Sequence, residues 1–109
     1  MAKLHFYSVQ KYGEPKFYYE EVEAVDKPKT YMFKDRNDRP YGFYGQMVKK
    51  SEIGHIIETY GTYLFLETKD HNRAKELFSL FFDREIRTEE KKLNALLARK
   101  QVVVEFKED

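Results

Sequence analysis

Apolar and polar positions follow two different rhythms along this chain: near-alternation through its first two-thirds, and a helical period beyond it. Leu4 to Val9 predicts a first strand, with Leu4 and Phe6 on one face and His5, Tyr7 and Val9 on the other. Phe17 to Val25 predicts a second, with Tyr18, Val22 and Ala24 opposite Phe17, Tyr19, Glu21 and Glu23. Lys11-Tyr12-Gly13-Glu14-Pro15 between them reads as a turn, so the two form a hairpin. Thr30 to Lys34 is the next strand, placed between Asp26-Lys27-Pro28-Lys29 and the polar loop Asp35 to Pro40, where Asn and Asp satisfy their own backbone. Phe43 to Val48 predicts a fourth strand, weakened by glycines at 42 and 45.

Ser51 is a good N-cap, and Ile53, Ile56, Ile57 and Tyr60 recur at helical spacing before Gly61, so a short helix is expected there. Thr62 to Glu67 is apolar on both faces and predicts a central strand. From Asp70, a natural N-cap, Ala74, Leu77, Phe78, Phe81 and Phe82 form an apolar stripe that Ile86, Leu93 and Leu97 extend past the polar run Arg87 to Lys92. Val102 to Phe106 favours a β-strand returning to the sheet edge, or else ends the helix. The expectation is a single α+β domain over residues 1–109: a mainly antiparallel sheet of about five strands, one short helix and one long C-terminal amphipathic helix.

Composition narrows the function mostly by exclusion. The chain has 20 Lys and Arg against 19 Asp and Glu, without the basic excess of a duplex-binding domain or the acidic excess of a nucleic-acid mimic. It has no cysteine, which removes disulfides, thiolate metal sites and thiol nucleophiles. Nine Tyr and nine Phe supply much of the apolar area that a small core needs. The amino end lacks the apolar core of a signal peptide, and no stretch approaches membrane-spanning length. A cytoplasmic protein is expected, with no membrane partner.

Residues able to carry chemistry are scattered. His5, His55 and His71 have no short metal-ligand spacing, so neither metal nor cofactor is expected. Most carboxylates sit beside basic residues, and Glu21 with Glu23 reads as a solvated strand face. Phosphate loop, nucleophile elbow and triad order are all missing, so catalytic residues are not expected and the chain reads as a non-enzyme. Two surfaces stand out instead. Tyr41, Phe43 and Tyr44 lie close to Lys49 and Lys50, the mixture of rings and cations that single-stranded nucleic acid exploits. Phe82, Ile86, Leu93 and Leu97 mark a helix stripe that outruns a small sheet and suits a partner or a second copy.

Val25-Asp26-Lys27-Pro28-Lys29-Thr30-Tyr31 and Val48-Lys49-Lys50-Ser51-Glu52-Ile53-Gly54 are similar to segments of small uncharacterised accessory proteins of phages and prophages of Gram-positive bacteria. The similarity runs from Leu4 to about Leu97, and the tail from Val102 departs from that group's charged helical ending. It implies no site residues. It does imply a context, since such proteins frequently bind host or defence machinery, anti-CRISPR proteins among them. The expected function is therefore a non-enzymatic accessory protein that binds a host or defence protein. A homodimer through the C-terminal helix is a further expected association, and a single-stranded nucleic acid or nucleotide binding module is the alternative.

Overall fold

The computed structural model describes residues 1–10, 13–59 and 61–107. The chain divides into two compact units, Met1–Leu77 and Phe78–Asp109. The first holds a six-stranded sheet: β1 (Ala2–Val9), β2 (Phe17–Asp26), β3 (Thr30–Met32), β4 (Met47–Lys49), β5 (Ile57–Glu58) and β6 (Thr62–Leu66). Its spatial order is β4-β3-β2-β1-β6-β5, and every neighbouring pair runs antiparallel. A helix, α1 (His71–Val104), begins in the first unit and forms nearly all of the second. The α+β class is as the sequence predicts, with one more strand than expected.

β1 lies between β2 and β6, and Leu4, His5, Phe6 and Tyr7 are all buried, so both faces of this strand are covered. Register explains how its residues divide. Leu4 pairs with Val22 on one face, while Tyr7 pairs with Tyr19 and Leu64 on the other. Leu4, Phe6, Val22 and Ala24 join Tyr31, Phe33, Phe43, Val48 and Phe65 in the main core. Four phenylalanines dominate it: Phe6 lies 5.0 Å from Phe65, and Phe43 sits 5.7 Å from Phe33 and 5.2 Å from Phe65, mostly in tilted or edge-on contact. Such pairs stabilise by roughly 0.5–1.5 kcal/mol each beyond the area they bury.

Two expected elements differ, and a third, left open between a strand and a helix end, is helix. The short helix after Ser51 is a single 3₁₀ turn, Lys50–Glu52, in which Ser51 lies inside the turn and Lys49 holds the N-cap position without a side-chain cap bond. Gly54 then takes φ +81°, outside the helical region, and its N–H bonds the Phe65 carbonyl at 2.9 Å. The chain is thereby tied to β6, and Ile57–Glu58 adds a sixth strand where the helix was expected. The expected contribution of Tyr60 lies outside the described residues.

The fourth strand is also shorter than Phe43 to Val48. Gly42 at φ +84° and a Phe43 N–H to Pro40 carbonyl bond of 3.1 Å make a turn, and pairing begins only at Met47. Finally, Val102 to Val104 continue the helix instead of returning to the sheet, with Phe106 just beyond it. Helix propagation needs only one more hydrogen bond per residue, and that outweighs the weak β preference of valine.

Candidate functional site

The first surface is built on a pinned loop. Pro40 is buried, and the Tyr41 N–H donates to Glu20 Oε2 at 2.9 Å. The Tyr18 hydroxyl donates to the same oxygen at 2.8 Å, and the Tyr18 and Tyr41 rings meet edge-on at 6.1 Å. Burial, together with the bond to Glu20, pushes the Tyr18 phenol above its ordinary pKa. Farther along, Arg39 Nη1 donates to the Tyr44 carbonyl at 3.2 Å, while its buried Nε has no hydrogen-bond partner. Phe43 points into the core and acts as the plug between these anchors.

The five residues singled out there part company. Tyr41 and Tyr44 are 74% and 73% exposed, and Met47 on the edge strand β4 is exposed too. Lys49 is exposed. Phe43 is a core residue. Lys50 is occupied: its ammonium pairs with the Asp26 carboxylate and lies 4.9 Å from the centre of the Tyr31 ring. The Tyr31 hydroxyl donates to Glu67, and that bond, with burial second, drives its pKa up to about 12.

The second surface lies on α1. Phe82 is half-buried, whereas Ile86, Leu93 and Leu97 are exposed. Phe82, Glu85, Ile86, Glu89, Glu90 and Leu93 line one shallow open groove along the helix. Leu96, Val103 and Phe106 add exposed apolar area beyond it.

A third cluster is not legible as such in the sequence. On the sheet face opposite the main core, His5 Nδ1 lies 2.8 Å from the Tyr19 hydroxyl. The Tyr7 hydroxyl accepts from the Asp70 N–H at 3.2 Å and is hydrogen-bonded to His71 Nδ1, 2.8 Å away. The Tyr19 ring meets His71 edge-on at 4.7 Å and carries the Lys69 ammonium 5.7 Å from its centre. Burial is the main cause lowering the His5 pKa, Lys69 and His71 adding to it and Glu21 opposing it. Burial likewise raises the phenols of Tyr7 and Tyr19. Alternation does place His5 and Tyr7 on one face opposite Tyr19, but His71 reaches them only through the return of the chain after β6. These groups bond one another, and no group of three or more metal-ligating side chains gathers among the described residues.

Among the described residues no helix is long and apolar enough to cross a membrane. Compared with protein-family models, curated proteins and solved structures, the chain matches none.

Proposed function

We propose that this chain is a non-enzymatic accessory protein that binds another protein through the loop carrying Tyr41 and Tyr44. The observation that carries this reading is their exposure on a loop held by Glu20, Arg39 and the Phe43 plug. A fixed backbone presenting rings loses little conformational entropy on binding, and tyrosine is among the residues that dominate interface energetics. Beside the loop, β4 ends the strand order, so its outer side faces no further strand among the described residues and offers backbone groups to an incoming segment. A host or defence protein is the partner suggested by the likeness to phage accessory proteins.

The same loop is less suited to single-stranded nucleic acid. A stacking platform there would draw on Tyr41, Phe43, Tyr44, Lys49 and Lys50, but Phe43 is in the core and Lys50 is paired with Asp26. Affinity capture from lysate of the host bacterium decides between the readings. The expected result is one protein recovered in stoichiometric yield by the parent chain and lost with Tyr41→Ala/Tyr44→Ala. Retention of oligonucleotides at low salt, abolished by Tyr44→Ala, would replace this reading with the nucleic-acid one.

A further inference from the structure

We infer that residues 86–103 of α1 form an antiparallel coiled coil with the same residues of a second copy of this chain. Phe82, Ile86, Glu89, Leu93, Leu96, Lys100 and Val103 are separated by alternating steps of four and three, the spacing of a heptad seam. The opposite face carries Arg84, Arg87, Lys91, Asn94, Ala98 and Gln101, which are polar or small. Ile86, Leu93 and Leu96 are 54%, 55% and 57% exposed, and Val103 is 74% exposed. The groove on the helix is lined by residues of this seam and its two flanks, which is the shape of a hole awaiting a knob.

Charge selects both the occupant and its direction. Residues 83–90 hold four acidic and two basic side chains, net −2, whereas residues 91–100 hold four basic and no acidic ones, net +4. Three of the six residues lining the groove are glutamates, Glu85, Glu89 and Glu90 beside Ile86 and Leu93, although the surface they present to it is almost wholly apolar. An occupant must therefore bring apolar knobs with a cation between them. The chain itself carries such a segment in Leu96, Lys100 and Val103.

A parallel, in-register pair would set Glu89 against Glu89, Lys100 against Lys100 and Glu85 against Glu90. Reversing one helix so that Leu93 faces Leu96 of the second copy sets Ile86 opposite Val103, and Glu89 opposite Lys100, twice over by symmetry. Among the positions flanking this seam, Lys92 and Arg99 are the like-charged pair that approaches, and they lie at the rim, where water screens them. The paired segment, residues 86–103 of both helices, is about 27 Å long at ~1.5 Å per residue, or roughly two and a half heptads. Burying the stripe this way uses different residues from the Tyr41–Tyr44 loop, so the two readings stand or fall separately.

Sedimentation equilibrium of the full chain over a wide concentration range tests the pairing, the expected mass rising to about twice 13.2 kDa. Glu89→Lys and Lys100→Glu should each weaken the dimer at least tenfold, because each sets like charges face to face in the seam. The double swap, or a mixture of the two single variants, should restore it. The protein has no cysteine of its own, so orientation is read directly. A mixture of Ile86→Cys and Val103→Cys chains should cross-link as a heterodimer, and Ile86→Cys alone should not. A monomeric mass at every concentration overturns the proposal, as does efficient self-cross-linking of Ile86→Cys or indifference to the charge variants. Tyr41→Ala/Tyr44→Ala should leave the mass unchanged.

Discussion

The two units of this chain treat their apolar residues in opposite ways. In Met1–Leu77, rings and branched side chains are packed inward until Leu4, Phe6 and Phe33 are almost wholly out of solvent. In Phe78–Asp109 the aliphatic stripe from Ile86 onward is left more than half exposed. Both patterns are equally regular in sequence. What differs is closure. A sheet strand finds covering residues on both sides through register, whereas a lone helix has one stripe and satisfies its whole backbone internally. Helical periodicity therefore guarantees the element without guaranteeing a cover for its apolar face.

The largest expected effect sets these two treatments against each other. Phe6→Ala removes a ring that touches Phe65, Phe43, Tyr63 and Tyr18, and should cost about 3–5 kcal/mol in urea unfolding. Leu96→Ala, measured on dilute protein, should change monomer stability by no more than about 0.5 kcal/mol, as exposed positions do. Equal losses from the two variants would erase the distinction between the regions.

Gly45→Ala probes how tightly the inward-packed region is filled. A β-carbon there would lie 2.8 Å from the Phe43 ring, and that ring cannot retreat because Phe6, Phe33 and Phe65 surround it. Overpacking of this kind costs ~1–3 kcal/mol. The measurement is again denaturant unfolding, and a neutral result would show the Phe43 plug to be loose. Such looseness would also remove the support from under Tyr41 and Tyr44.

Asp70→Ala acts where the helical rhythm begins. The Asp70 carboxylate accepts the Arg73 N–H at 2.9 Å, so its loss should cost about 1 kcal/mol. Hydrogen exchange should show the first turn of α1 losing protection while the amides of β1 keep theirs. Uniform loss in both would mean that the helix start and the sheet open together.

Much of this is legible in the sequence. The two-faced character of β1, the faces of β2, the Asp70 cap and the long helix all follow from periodicity and capping chemistry. Errors cluster where a single residue outvotes a pattern. Ile53, Ile56 and Ile57 have helical spacing, yet Gly54 at φ +81° and its bond to Phe65 turn that segment into a strand. Tyr41, Phe43 and Tyr44 look alike in sequence, but a turn at Gly42 sends Phe43 inward and leaves the other two in solvent. The His5–Tyr19 and Tyr7–His71 pairs were least legible, because their partners are 14 and 64 residues apart and only register and the return after β6 bring them together.

That last cluster yields the smallest effect and the most specific test of inward packing. Burial disfavours the imidazolium of His5, so its folded-state pKa lies below the ordinary 6.5. The sign follows directly. Below pH 6.5 the unfolded chain takes up a proton at this position before the folded one does, so stability is fully present above 6.5 and declines as pH falls through the folded-state value. An NMR titration of the His5 ring should place its midpoint under 6.5, with the loss of stability following it. The neighbours give the test two directions. Lys69→Gln removes a cation that opposes protonation and should move the midpoint up, whereas Glu21→Gln removes the carboxylate that favours it and should move it down. A midpoint at or above 6.5, unmoved by either change, would mean that water reaches this face as freely as it reaches the outer stripe of α1.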